Sequence, residues 1–245
     1  MGKLYVVGFG PGGYEHMTAK CIDVIEKADI ITGYTTYVEM LKEFFPDKTY
    51  LATPMMQEVK RCRMAVEEAM KDQTVAMVSS GDSGIYGMAG IIYQVAEEMG
   101  ADIEIETVPG VTAASAAASV LGAPLMHDFA VISLSDLMTP LDLIMKRVDC
   151  AGQSDLIVCL YNPKSKKRTG YVEQAADILM KYRSPETPVG IVRHAGRRGE
   201  QSQITTLAEL KDAEIDMFSV VLIGNSQTYV SNGRMITPRG YNLEK

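Results

Sequence analysis

The sequence has little of the material from which disulfide frameworks, membrane spans and nucleic-acid surfaces are built. It carries four cysteines in 245 residues: Cys21, Cys62, Cys150 and Cys159. None are spaced as CxxC, and three sit inside periodic helix or strand patterns. They read as structural thiols of a reducing cytoplasm, not as disulfides, a metal site or an iron–sulfur centre. Apolar runs reach about six residues, far short of the ~20 that a membrane-spanning helix needs. Positive charge is in deficit, with 24 basic against 31 acidic residues and a net charge of −7. That argues against sequence-independent nucleic-acid binding, which needs a basic face, and leaves room only for local basic patches. The opening MGKLYVVGFG lacks the apolar core and cleavage site of a signal peptide and reads as a first strand. The chain shows no long repeat, low-complexity tract or disordered linker.

What is present is ordinary globular material, 47% hydrophobic and 22% charged, enough for one large domain or two small ones. The 16 methionines read as core filler. The chain is organised around Thr74–Gly87, TVAMVSSGDSGIYG. It opens as a buried strand, breaks into a loop of small residues with one acid, Asp82, and closes on Ile85-Tyr86-Gly87, where a helix is expected to begin. In open α/β sheets, ligands sit at the carboxyl ends of strands. Around it, strands alternate with helical patterns. Strands are expected at Leu4–Val7, Ala28–Gly33, Ile103–Val108, Ala130–Leu134, Leu156–Leu160, Pro188–Val192 and Ser219–Ile223, with an edge strand at Gln203–Thr206. Helices are expected from the Thr18 cap, at Thr35–Phe45, Met56–Lys71, Ile91–Met99, Ala113–Val120, Pro140–Val148, Thr169–Tyr182 and Leu207–Lys211. Asn232-Gly233 reads as a hairpin turn. The alternation implies an α/β fold. Gly122-Ala123-Pro124-Leu125 breaks it, dividing the chain into 1–121 and 122–245.

Gly8, Gly10 and Gly13 satisfy the GxGxxG dinucleotide fingerprint. Three features weigh against that reading. The next helix cap, Thr18, stands well beyond Gly10, whereas a dinucleotide fold starts its helix at the second glycine. Pro11 removes a backbone donor from the would-be phosphate cradle. The acid expected at the end of the second strand is missing, and Asp29 precedes that strand instead. A turn with no ligand and a ligand-lining loop that holds no phosphate both remain open. Asp82 also has two readings, a ligand-binding carboxylate and a turn-forming helix cap, and position alone leaves them level.

Four segments together, GFGPGG with the Thr18 cap, SSGDSGIYG, VPGVTAAS and LYNPKSKKR, resemble the class III, tetrapyrrole-type, S-adenosylmethionine-dependent methyltransferases. Gly122–Pro140, Leu160–Arg168 and Met235–Tyr241 are similar to the branch of that family that methylates C(17) of precorrin-3B or cobalt-factor III, with ring contraction, in cobalamin biosynthesis. The similarity covers essentially the whole chain. It implies two α/β/α sub-domains joined by a short linker, an active site in the cleft between them, and a cytoplasmic homodimer. It implies that S-adenosylmethionine is lined by Pro11, held by Ser80, Gly81, Asp82 and Ile85, and walled by Thr112 and Ala113. Asn162 and Ala195 then stand at the adenine side. A cationic sulfonium without phosphate suits a Gly/Pro loop with one carboxylate, so the resemblance tips Asp82 towards ligand.

The implied substrate is a macrocycle rimmed with carboxylates, which calls for arginines and lysines. Lys164, Arg168, Arg193, Arg197 and Arg239 are the candidates, with Arg198 beside them; Lys166 and Lys167 individually read as a solvated run. Cobalt enters only as part of the substrate, and no protein metal site is expected. For proton movement during ring contraction, His127, Ser133 and Asp136 are the candidates, with Ser135 as a substrate contact. His127 reads equally well as a structural histidine, and His16 and His194 also lie in loops. Competing readings are a metal-free precorrin-3B enzyme, a dinucleotide oxidoreductase and a non-catalytic sensor of the same ligands.

Overall fold

The computed structural model describes residues 2–165 and 168–242. The chain divides into two compact units, Met1–Ala113 and Ala114–Lys245. In the first, β1 (Lys3–Gly8), β2 (Ile30–Tyr34), β3 (Thr49–Thr53), β4 (Thr74–Ser79) and β5 (Glu104–Val108) form one sheet in the order β3-β2-β4-β1-β5. Every pairing is parallel. Parallel neighbours need crossovers, supplied here by α1 (Ala19–Lys27), α2 (Thr35–Lys42), α3 (Glu58–Ala69) and α4 (Ala89–Glu98). The crossovers cover both faces, which is why β1 and β4 read as continuous apolar runs. Val7, Phe9, Cys21, Ile25 and Ile31 form one core under α1 and α2. Leu4, Val6, Cys62, Val66, Met77 and Ile92 form the other under α3 and α4. Each large side chain so buried contributes about 1.5–3 kcal/mol.

Local chemistry sets the element ends. Thr18 Oγ1 accepts from Cys21 N at 3.1 Å, satisfying an orphan donor of α1. Asp29 clamps the starts of β2 and β4: its carboxylate accepts from Thr74 N, and its own N–H donates to Thr74 O, both at 2.8 Å. That role accounts for an acid placed before β2 and not after it.

In the second unit, α5 (Ala113–Leu121), β6 (Gly122–Ala123), β7 (Phe129–Ser133), α6 (Leu141–Gln153), β8 (Ile157–Tyr161), α7 (Tyr171–Leu179), β9 (Pro188–Arg193), β10 (Gln201–Thr206), β11 (Ser219–Ile223), β12 (Tyr229–Ser231) and β13 (Arg234–Ile236) follow in order. The main sheet runs β10-β9-β11-β8-β7. Only β7 and β8 pair in parallel, while β11 is antiparallel to both β8 and β9. The carboxyl ends of β7, β8 and β9 therefore share one edge with the amino end of β11. Helices α6 and α7 cover one face through Ile144, Val148, Val172 and Leu179. Gly190 admits α5 to the other face: a Cβ there would sit 2.3 Å from Leu121 Cδ1. Buried Arg183 ties α6 to β8 and β11 by donating to the Ala151, Leu156 and Gly224 carbonyls.

Several elements differ from the sequence reading. The division falls between Ala113 and Ala114, at the start of α5, and Gly122–Ala123 forms β6, paired with Met235 and Ile236 of the tail hairpin. Strand β3 was not expected; it is a half-exposed edge strand with a weak apolar pattern. Helix α4 starts at Ala89, after Tyr86–Gly87, and Leu207–Lys211 yields only a 3₁₀ turn at Leu210–Asp212. The Asn232-Gly233 hairpin forms as read, with both residues left-handed at φ 49° and 70°. Among the described residues, no helix is long and apolar enough to cross a membrane.

All four cysteines are free, and three are buried, with burial pushing the Cys21, Cys62 and Cys159 thiols up to about 12. Cys150 is exposed. A thiol reagent at pH 8 is expected to label one cysteine of the native protein, identified as Cys150 by peptide mapping, and all four after denaturation. Rapid labelling of Cys62 in the native protein would contradict this packing.

Candidate functional site

In the first unit, three loops meet backbone to backbone at the carboxyl ends of β1, β4 and β5. Gly10 and Gly81 exchange hydrogen bonds, N–H to O, at 3.0 and 2.7 Å. A Cβ on Gly8 would lie 2.7 Å from Gly81 O, and one on Gly110 would lie 2.2 Å from the same oxygen. Ser83 Oγ donates to Val108 O at 3.0 Å. Asp82 completes the junction. Its Oδ1 accepts from Gly84 N and Ile85 N at 2.8 and 3.0 Å, and its Oδ2 accepts from Gly110 N at 3.0 Å. It does not cap α4, whose N-cap is Met88. A carboxylate offers about four acceptor positions, so three loop donors leave it room for a ligand donor.

This junction brings together Pro11, Ser80, Gly81, Asp82, Ile85, Thr112 and Ala113. Pro11 is buried, while Ser80, Asp82, Thr112 and Ala113 are half-buried and Ile85 is exposed. Gly81 is buried and left-handed at φ 71°, and a Cβ added to it would rest in ordinary contact with the backbone of 111–113, nearest Ala113 N at 3.8 Å. Helix α1 starts well past the first glycine loop, so no helix N-terminus stands at Gly10 to hold a pyrophosphate.

The second unit gathers its own set at the shared edge of β7, β8, β9 and β11. Asn162, left-handed at φ 51°, donates from Nδ2 to Ser133 Oγ at 3.0 Å, and Ser135 N donates to the same oxygen at 3.2 Å. Asp136 Oδ2 accepts from Tyr171 Oη at 2.8 Å, an interaction that pushes the phenol pKa up. Arg168 Nε lies 3.8 Å from Asp136 Oδ1, and Arg168 also donates to Leu134 O and Ser165 Oγ. It therefore ties the loop after β7 to the loop after β8. Lys164 and Arg193 line a cavity of about 320 Å³ with Glu214 and Asp216, and Asp216 Oδ2 holds Arg193 Nε at 2.8 Å. Ala195 and Arg197 follow in a turn in which Arg197 N donates to His194 O. His194, left-handed at φ 53°, stacks on Phe218 with centroids 5.1 Å apart.

Two candidates stand elsewhere. His127 precedes β7, at the amino end of the strand whose carboxyl end carries Ser133, and its Nδ1 accepts from Asp128 N. At ~3.3 Å per residue along a strand, β7 keeps it away from Ser133 and Asp136, so it does not join them as a base. Arg239 donates to Met126 O at 3.3 Å and lies at that same amino end, apart from Arg168 and Arg193. Their nearness in sequence to the cleft motifs hid the strand that separates them. Lys166 and Lys167 lie outside the described residues. His16 is 3.7 Å from the Glu15 carboxylate in the loop after β1. Sequence reading missed Tyr171 and Asp216. Only Tyr171, which opens a helix after the YNP loop, carried a local cue; Asp216 reaches Arg193 through antiparallel pairing.

The junction predicts opposite outcomes for two glycines. Gly110→Ala is expected to lower stability by at least about 1–3 kcal/mol through overpacking. Gly90, on α4 with open space around it, is expected to gain up to about 1 kcal/mol as Ala. Thermal melts of the two variants check both signs.

The family Tetrapyrrole (Corrin/Porphyrin) Methylases matches residues 3–211. The "Probable cobalt-factor III C(17)-methyltransferase" of Salmonella typhimurium is 48% identical over 98% of this chain and all of its own length. The "Cobalt-factor III methyltransferase" of Priestia megaterium is 47% identical over 98% of this chain, which spans only 45% of that longer protein. The crystal structure of the methyltransferase CobJ superposes with a TM-score of 0.89 at 33% identity, covering 97% of this chain and all of that one. The sequence and the two α/β units agree, and the chain belongs to the tetrapyrrole methylases.

Proposed function

We propose that the protein methylates C(17) of a cobalt-factor III or cobalt-precorrin-3 type tetrapyrrole, with ring contraction to cobalt-precorrin-4, using S-adenosylmethionine. The reading rests above all on the glycine junction: a half-buried carboxylate with acceptor capacity to spare and no helix N-terminus beside it to cradle a phosphate. That donor set fits a cationic, phosphate-free ligand. Close relatives named for this activity support it.

When bound, S-adenosylmethionine supplies an electrophilic methyl group on a cationic sulfur. Asp82, Ser80, Gly81 and Ile85 are assigned to its methionine and ribose portions, Pro11, Thr112 and Ala113 to the walls, and Asn162 and Ala195 to the adenine side. The chain's contribution to methyl transfer is alignment of a ring carbon with that methyl group, and well-oriented reactants gain effective molarities of ~10⁵ M or more. Lys164, Arg193 and Arg197, with Ser135, are assigned to the substrate's carboxylates. Asp216 orients the Arg193 fork and leaves the guanidinium's exposed side for ligand. Arg168 acts mainly by fixing the two loops that carry Asp136 and Asn162. Ring contraction requires proton movement at a substrate hydroxyl, which loses its proton as the adjacent ring bond migrates or as the oxygen closes a lactone. Asp136 is assigned to accept it, with Tyr171 holding the carboxylate in place. Ser133 anchors the turn that presents Asp136. The enzyme is assigned as a cytoplasmic homodimer.

Anaerobic incubation with S-adenosylmethionine and cobalt-factor III is expected to add one methyl group to the tetrapyrrole, read by mass spectrometry, with NMR placing it at C(17). Asp82→Ala is expected to weaken S-adenosylhomocysteine binding at least tenfold by calorimetry. Methylation of metal-free precorrin-3B alone would replace the substrate, and failure to bind S-adenosylhomocysteine would overturn the reading.

A further inference from the structure

One buried cation in the first unit is only partly matched by its surroundings. Arg61, on α3, keeps 3% of its surface exposed. Among the described residues, the one carboxylate near it is Glu58, at 3.7 Å, too far for a hydrogen bond. Its guanidinium rests 5.9 Å from the centroid of the Tyr34 ring, and its buried Nε has no hydrogen-bond partner. The other deeply buried arginine, Arg183, also has an unpartnered Nε, but it spends its terminal N–H groups on three backbone carbonyls.

The strands beneath carry the same deficit. Thr32, Thr53 and Ser79 are 0%, 3% and 4% exposed, and none of their hydroxyl oxygens has a partner. In parallel strands, residues in register share a face. Thr32 is in register with Leu51 and Met77, and Tyr34 with Thr53. Side chains two apart on a strand also share a face, so Thr32, Tyr34, Thr53 and Ser79 all lie on the face of Met77. Met77 packs in the core with Cys62 of α3, the neighbour of Arg61. Three buried hydroxyls and the half-buried Tyr34 thus share one face towards the carboxyl ends of β2, β3 and β4. Ser79 directly precedes the Ser80–Asp82 loop.

Burying a polar group without a partner forfeits its hydration for nothing in return, and a charge loses more than a hydroxyl. A guanidinium can only donate, and hydroxyls can donate as well as accept. The complement of such a patch is a ligand with acceptors alone, and a carboxylate accepts the guanidinium fork in two parallel bonds. We propose that Arg61, with Thr53, Ser79 and Thr32, is a subsite of the first unit for one rim carboxylate of the tetrapyrrole substrate, which local opening of this patch would admit. This rests on the proposed function and adds to it an anion contact remote in sequence from every basic loop.

Arg61→Met keeps most of the side-chain length and removes the charge. The expected result is a KM for cobalt-factor III raised at least tenfold, an S-adenosylhomocysteine Kd within twofold of wild type, and a melting temperature equal or higher. Thr53→Val, of matching shape, is expected to raise KM about threefold with the same unchanged Kd, and serves if Arg61→Met does not fold. An unaltered KM in the folded variants, or a loss of melting temperature with no change in KM, would overturn the assignment and leave the patch as internal hydration. Wild-type protein that binds S-adenosylhomocysteine but transfers no methyl group to the tetrapyrrole would overturn the functional reading and this subsite with it.

Discussion

The first unit depends on one close approach: the backbones after β1, β4 and β5 touch with no side chain between them. Gly8, Gly81 and Gly110 permit it, since a Cβ on Gly8 or Gly110 would lie under 3 Å from the Gly81 carbonyl. Asp82 then locks the arrangement by accepting from two N–H groups of its own loop and from Gly110, 28 residues away. Because the loops cannot shift independently, Ser80, Asp82, Ile85, Thr112 and Ala113 are held in fixed relation. Such a fixed junction with a carboxylate in its wall suits the cationic ligand of the proposed function. The conformational entropy of ordering these loops is spent on folding and not on binding.

The second unit reaches its arrangement by different means. Its sheet is mixed, and its candidate residues are organised by hydrogen bonds from Asn162 to Ser133, Tyr171 to Asp136, and Arg168 to Leu134 and Ser165, and by the ion pair of Arg193 with Asp216. Several of its basic residues are thus committed to protein partners. A cation-bearing edge in a chain of net charge −7 gives local attraction for an anion without making the whole protein basic.

Much of the fold was legible because burial on both faces of a parallel sheet writes strands as apolar runs. Leu4–Val7 and Thr74–Val78 were plain for that reason, and Thr18 announced α1 through its capping chemistry. Strand β3 was not legible, since a half-exposed edge strand needs few apolar residues. Strand β6, only two residues long, is made by its pairing with β13, over a hundred residues later. Of the site, the glycine loops were legible as loops, and SSGDSG pointed to Asp82. Its bond to Gly110 was not, because no local pattern reports a partner 28 residues away. The position of His127 and Arg239 at the amino end of β7 was hidden for the converse reason: closeness to a motif in sequence says nothing about which end of a strand a residue occupies.

The central claim is that the loop junction of the first unit is a preformed seat for S-adenosylmethionine. A crystal structure of the complex with S-adenosylhomocysteine tests it most directly. The account predicts the ligand against Gly81–Ile85 and Thr112–Ala113, a ligand donor on the Asp82 carboxylate, and the Asp82–Gly110 hydrogen bond intact. A ligand seated elsewhere, or a junction that must open to admit it, would contradict the account.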